Sequence, residues 1–392
     1  MGANQRRRVT PCDGSWRSWC GPPACEFPRP LNVSADGSPA IDAKQVADDG
    51  APPDAAACYG SFVQVCFFAV LDAPVLPVTL NDDIDTDSVT VCDQHNFQAK
   101  QYCIVPAAGL SVPATKTIRA YGSKPLILLS TTAVNISGNI DISSTVNTPL
   151  LHPIGAGAVT LDACAAGAIA PQHDSGGYGA SFAGHGGVGK PQGTAIIPTP
   201  GPPIEFPSVL RGGCPGSSGT SSRHDFLPNT GGSGGGAVDV IAAEIFLGGQ
   251  INASGAAGVG GSAVQCGGGG GGSGGMIVLD APTIIPSGTY ALFANGGGGG
   301  QGGAGPGELP GAGSNGLEST APLLIGRGGN DGNTAGGPGG SGAFGTISKD
   351  ADDAPPYFDV RPNGGGGGGG GSVGFIRAHG VTTNVAPAST DP

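Results

Sequence analysis

Charge is what this chain has least of. Only 12% of its 392 residues are Asp, Glu, Lys or Arg, against roughly 25% in ordinary globular domains. That is too little for a chain held open by its own charge. Aromatics make up 5%, with two Trp, and Met also occurs twice, so a thick conventional core is not expected. The charge present sums to −12, which disfavours nucleic acid and anionic membrane surfaces as partners, because both call for a basic patch. The one basic run, Arg6–Arg8, reads as a solvated tail. No apolar stretch approaches the roughly 20 residues of a membrane span, so no transmembrane segment is expected. No export signal is visible either: Arg6–Arg8 is followed by Val-Thr-Pro-Cys, not by an apolar run. An internal or mis-assigned start, or a signal already removed, would account for that.

Catalytic signatures are missing too. There is no HExxH and no Gly-x-Ser-x-Gly elbow between a strand and a helix. Gly189-Lys190 is followed by Pro, so no Walker Lys closes a phosphate loop. Matches to GxGxxG are abundant, but glycine tracts produce them by chance and no βαβ context surrounds them. His173-Asp174, His185 and His224-Asp225 lie in glycine-rich stretches and read as loop histidines. No catalytic residue is assigned, and the expectation is a chain that is not an enzyme.

What the chain does have is cysteine and glycine. None of the ten cysteines forms a CxxC pair, which removes the usual zinc-ribbon and thioredoxin spacings. Cysteines spread in this way suit structural disulfides in an oxidising compartment. Short loops close at least entropic cost, so Cys58 is expected to pair with Cys66 and Cys92 with Cys103. Cys164 with Cys214 is the next expected pair. Of 77 glycines, 12 fall in residues 1–174 and 65 in the remaining 218, without the strict period of collagen.

Composition divides the chain into four regions. Residues 1–57 read as a disordered Cys/Pro-rich leader and linker. Residues 58–123 hold short β-branched and aromatic runs, at 61–70, 88–92, 102–105 and 115–122, separated by Pro, Asn and Asp. Residues 124–380 form a glycine-rich β-repeat domain, and 381–392 a tail.

The repeat is the most informative feature. Residues 125–144 superpose on 236–255 without a gap, placing Val134 over Ile245, Ile136 over Leu247 and Ile140 over Ile251. A third copy starts at Gly275 and a partial fourth at Ser372. Each copy has an apolar strand, a polar step, then an alternating strand broken by one glycine: Gly138, Gly249 or Gly288. These glycines are expected at a bend that needs φ > 0 or close backbone approach. Alternation turns Val134, Ile136 and Ile140 inward and Asn135, Asn139 and Asp141 outward. The fold expected is all-β: an irregular stacked β-repeat, β-helix- or solenoid-like or a sandwich, with glycine-rich polyproline-II or polyglycine segments. The glycine tracts are either flexible linkers or backbones packed side by side. Their direct attachment to the repeats and to Cys266 favours partial order.

Taken as a set, several motifs resemble a known type. They are Cys58-Tyr-Gly-Ser-Phe-Val-Gln-Val-Cys66, Asp83-Ile-Asp-Thr-Asp87, Tyr102-Cys-Ile-Val, Gly122-Ser-Lys-Pro-Leu-Ile-Leu, Ser137-Gly-Asn-Ile-Asp, Leu210-Arg-Gly-Gly-Cys-Pro-Gly, the glycine block through Met276, Ala294-Asn-Gly and Ser372-Val-Gly-Phe-Ile-Arg. Over roughly residues 58–380 the chain resembles uncharacterised glycine-rich cell-surface or secreted proteins of myxobacterial type. The resemblance implies export and surface display, and no reaction. Composition alone is also similar to the polyglycine-II bundles of phage tail-tip adhesins.

One cluster invites a ligand. Asp83, Asp85 and Asp87 fall on one face of an extended strand, and clustered carboxylates suit calcium. The glycine turn and distal Glu of an EF-hand are absent, so the expectation is a solvated strand edge, with calcium as the alternative and no other cofactor. The function expected is a structural or adhesive protein of the cell surface or extracellular space, outer membrane-associated, whose partners are other surface or matrix components, polysaccharide or further copies of itself. The alternatives are a polysaccharide lyase-like β-helix enzyme and a sugar- or ice-binding module.

Overall fold

Short β-branched runs separated by turn residues become sixteen strands, with no helix, among the described residues. The computed structural model describes residues 57–67, 76–92, 101–146, 153–158, 164–191, 196–221, 229–262, 265–305, 311–330, 336–345, 349–356 and 364–382. Contacts divide the chain into Met1–Ala51 and Pro52–Pro392. All but the last residue of the leader expected over 1–57 lies outside the described residues, including Cys12, Cys20 and Cys25.

The strands are β1 (Ala57–Tyr59), β2 (Val65–Phe67), β3 (Val78–Thr79), β4 (Ile84–Asp85), β5 (Cys103–Ala107), β6 (Leu110–Val112), β7 (Thr117–Tyr121) and β8 (Leu126–Ser130). They continue as β9 (Ala133–Ile136), β10 (Asn139–Asp141), β11 (Ala237–Ile241), β12 (Glu244–Leu247), β13 (Gln250–Asn252), β14 (Met276–Pro286), β15 (Ala291–Phe293) and β16 (Phe375–Thr382). The run expected as a strand at 88–92 is instead a turn, closed by Cys92 N–H donating to Ser88 O at 3.2 Å.

β1 and β2 form an antiparallel hairpin, and every other strand–strand ladder among the described residues is parallel. A five-stranded sheet runs β15-β13-β10-β7-β4. The larger sheet follows the path β3-β6-β9-β12-β14-β11-β8-β5, with β16 added on β14. The 11-residue β14 explains this path. Its first half pairs with β11 and its second half with β12, so two strand columns that shorter strands would keep apart join into one sheet. The expected irregular stacked β-repeat, β-helix- or solenoid-like or a sandwich, is thereby corrected to a parallel, nearly closed, barrel-like sheet of eight strands. All-parallel sheets usually lie under helices on both faces. Here, among the described residues, one face packs on the five-stranded sheet and the other lies under the β1–β2 hairpin and loops.

Register follows burial. From Ala133 onward the superposed residues are direct partners: Val134 with Ile245, Ile136 with Leu247, Ile140 with Ile251. The first strand departs from the gapless superposition by one residue, since Leu126 pairs with Val238, not with Ala237. A one-residue slip exchanges faces, and this one puts Leu126, Leu128, Val238 and Val240 in one core. Ile127, Leu129, Ala237 and Ile241 face a second core, covered by the β1–β2 hairpin, Phe182 and Leu210. Strands buried on both faces read as unbroken apolar runs, as Leu126–Leu129 does.

The glycine tracts are ordered by their backbones. Along 267–275 the N–H groups repeat with period three. Gly267, Gly270 and Ser273 donate to Thr220, Ser217 and Cys214; Gly268, Gly271 and Gly274 to Gly366, Gly369 and Ser372; Gly269, Gly272 and Gly275 to Val259, Ala256 and Ala253. All nine bonds measure 2.7–3.0 Å. The carbonyls accept from three further segments, through Gly177 and Ala180, Gly232 and Gly235, and Gly297 and Gly300. Three residues per turn is the period of the polyproline-II helix, so one tract meets six neighbours. The tract then runs straight into β14 at Met276, as 231–236 runs into β11.

Side chains would break this lattice. A Cβ on Gly271 would collide with the Gly297 carbonyl and the Gly371 amide, whereas one on Gly109 would make only ordinary contact with Thr132. Gly271→Ala is expected to cost about 1–3 kcal/mol or more, and Gly109→Ala to stay within about 0.5 kcal/mol, read from chemical denaturation midpoints. Equal effects would mean that the lattice does not bear on stability.

Candidate functional site

The three carboxylates of the acidic run accept from different backbone amides. β4 spans only Ile84–Asp85, so the extended strand expected to align three carboxylates is not formed. Asp83 accepts from the Arg119 N–H at 3.0 Å, and Asp85 accepts from the Asp87 N–H at 3.0 Å. Asp87 accepts from both the backbone and the hydroxyl of Ser123. Among the described residues no group of three acidic, His or Cys side chains is placed to hold a metal ion. Asp85 and Asp87 line a shallow cleft of about 510 Å³ with Tyr121, Ser123, Pro153 and Ile154. Burial first, then the charges of Asp85 and Asp83, raise the Tyr121 phenol. Beside it, Arg119 bridges strands, with Nη1 3.0 Å from Asp141 Oδ2 and Nη2 donating to Ser143 O.

The three expected disulfides are present: Cys58–Cys66, Cys92–Cys103 and Cys164–Cys214. Cys58 and Cys66 are direct partners across the hairpin. Cys92–Cys103 ties the turn after β4 to the start of β5. Arg211 reaches over Cys164–Cys214, with Nη2 3.1 Å from the Cys164 sulfur, and its guanidinium sits 5.3 Å from the Phe182 ring centroid. Burial lowers its pKa. Cys266 is buried at the start of the central glycine tract. Three disulfides suit an oxidising, extracellular-type environment. No helix among the described residues is long and apolar enough to cross a membrane.

The bend glycines occupy equivalent places for different reasons. At Gly138 and Gly249 the carbonyls of Pro113 and Gly138, respectively, leave no room for a Cβ. Gly288 has open space but a φ of +67°, a left-handed backbone that favours glycine. His173 and Asp174 share a left-handed turn with φ of 44° and 56°, in which His173 is exposed and Asp174 buried. His185 is exposed, and its backbone N–H donates to Asp350 at 2.6 Å. His224-Asp225 lies outside the described residues.

The most unusual chemistry sits on residues to which sequence reasoning gave no role. Asp239 on β11 is fully buried, and neither carboxylate oxygen has a hydrogen-bond partner. Asp280 on β14 lies on the same face, and its partner on β11 is Ile241, two residues from Asp239. Asp280 accepts from the Ser61 N–H, the Ser61 hydroxyl at 2.7 Å and the Phe62 N–H at 2.9 Å, all from the turn of the β1–β2 hairpin. Across from it, His379 on β16 stacks on Phe62 with ring centroids 6.5 Å apart, and its Nε2 is buried without a partner. Burial first, then the Asp280 charge, push the Asp239 carboxyl well above the usual range. The Val63 amide opposes this weakly, from outside hydrogen-bonding geometry. The Tyr102 phenol is raised by burial and by Asp239. A lone Asp inside the apolar run Ala237-Val-Asp-Val-Ile241 was the signal that could have found this site.

Comparison with family models, with curated proteins and with solved structures finds no match.

Asp239 makes stability depend on pH. Its folded pKa is raised above the unfolded value of about 3.9, so the folded chain binds more protons than the unfolded one. The stability it contributes is complete below that value and is lost as pH rises toward the folded pKa. In that window wild type is expected to lose up to about 1.4 kcal/mol per pH unit from this group, and Asp239→Asn to remove that slope. Denaturation midpoints measured against pH for both chains check it; parallel curves would show that Asp239 does not titrate in this way.

Proposed function

We propose that this chain is a non-enzymatic structural or adhesive protein of the cell surface or extracellular space, like the glycine-rich surface proteins it resembles. The observation that carries the reading is the hydrogen-bonded glycine lattice, in which the 267–275 backbone is paired on six sides. Such a body is stiff and closely packed, and it presents main chain and small side chains. The disulfides support an oxidising location. The strands also carry polar, uncharged rows: Thr79, Ser111 and Asn135 lie side by side on β3, β6 and β9. Thr117, Asn139 and Gln250 do the same on β7, β10 and β13.

The partner in this reading is polysaccharide of the envelope or matrix. A groove of about 830 Å³ beside the lattice is lined by Ser314, Asn315, Leu317, Arg327, Asn330 and Ser341. Amides and hydroxyls suit sugar hydroxyls, and the guanidinium suits a uronate carboxylate. The purified chain is expected to be retained on immobilised acidic polysaccharide. Arg327→Glu should weaken retention at least about tenfold, about 1.4 kcal/mol, without moving the thermal midpoint. Labelling of intact cells with a membrane-impermeant reagent should reach the chain. A cytoplasmic chain with reduced cysteines, or retention indifferent to Arg327, would overturn the proposal.

A further inference from the structure

We propose that the β1–β2 hairpin is a charge-gated latch: it stays closed over β11 and β14 while the Asp239–Asp280 pair carries one negative charge, and lifts away when the pair carries two. The hairpin meets the body through apolar packing, through the Phe62 ring against Phe206 and His379, and through hydrogen bonds. Val63, Val65 and Phe67 pack into the second core, and the turn amides of Ser61 and Phe62, with the Ser61 hydroxyl, grip the Asp280 carboxylate. Gly60 makes the turn with a φ of +88°, where a Cβ would strike the Val63 carbonyl. The Cys58–Cys66 bond closes the hairpin on itself and does not tie it to the body. The hairpin can therefore move as a unit with its own pairing intact.

Beneath this grip lies Asp239, without a hydrogen-bond partner and without water-exposed surface, and the Val63 amide of the hairpin, outside hydrogen-bonding geometry, only weakly favours its charge. The titratable groups facing it are Asp280 from β14 and Tyr102 from the segment before β5. His379 and Arg377 share a face of β16, opposite Asp280 and Val278, with the Arg377 guanidinium over the Phe206 ring, and Tyr59 belongs to the hairpin itself. The flanking strand β8 contributes only Ile127 and Leu129 on this face. Burial and the Asp280 charge hold the proton on Asp239. Once that proton leaves for solvent, two like charges share an apolar site, a costly arrangement. β11 cannot yield easily, because it is bonded in register to β8 on one side and β14 on the other. The hairpin has no such ladder to the body among the described residues, so lifting it is the least costly way to bring water to both carboxylates.

Hydrogen exchange of the full, disulfide-intact chain tests this. Protection factors of the Ser61 and Phe62 amides are expected to fall by up to about tenfold per pH unit while Asp239 titrates. The β8 and β11 amides should stay protected. Asp239→Asn should hold the hairpin closed throughout, and Asp280→Asn should loosen it at every pH. Tyr102→Phe should keep the wild-type profile, which separates this proton from the phenol's. Flat wild-type protection would overturn the latch, and so would a fall shared by Asp239→Asn or by the β11 amides. The wild-type profile decides on its own if a variant does not fold.

Discussion

Lateral hydrogen bonding between backbones without side chains is the constraint on which the rest depends. Glycine loses more conformational freedom on ordering than any other residue, so a tract stays ordered only if nearly every amide and carbonyl is paired. The 267–275 segment meets that condition, with donors spent on three neighbours and carbonyls accepting from three others. The absence of Cβ atoms is what allows the neighbours so close. A single methyl group at Gly271 would meet the backbone of Gly297 and Gly371.

The lattice also sets the sheet. Glycine strands feed directly into β11, β14 and β16, so the pairing between tracts and the pairing between strands share one register. Gly274 donates to Ser372, and Phe375 donates back to Gly275, immediately before Met276 and Phe375 become partners. Two cores then form on opposite faces of the same strands. The second needs a cover, which the disulfide-closed hairpin and the ring cluster of Phe62, Phe182, Phe206 and Phe375 supply. Arg377 extends that cluster, with its guanidinium 4.6 Å from the Phe206 ring centroid.

Some of this was legible in the sequence, and the reason is locality. Cys58–Cys66 and Cys92–Cys103 close loops with sequence separations of 8 and 11, so chain entropy alone favours them. The alternation of Val134, Asn135 and Ile136 reports a half-buried strand directly. The one-residue slip between β8 and β11 was not legible, because Leu126–Leu129 is apolar at every position and carries no phase. The merging of two columns depends on the length of β14, which runs unbroken through the step expected between two strands. The six partners of the central tract could not be read at all, since glycine has no side chain in which to record its neighbours. Asp83, Asp85 and Asp87 alternate as a ligand set would, yet Asp85 accepts locally from Asp87 while the bonds of Asp83 to Arg119 and of Asp87 to Ser123 depend on tertiary neighbours. Asp239 and Asp280 meet only because β11 and β14 pair.

The central claim is that the glycine lattice is structure and not linker. Native-state hydrogen exchange of the amides at 267–275 tests it most directly. The account predicts exchange only through global unfolding, with protection equal to that of the β14 amides. Exchange at the rate of an open chain while β14 stays protected would contradict it.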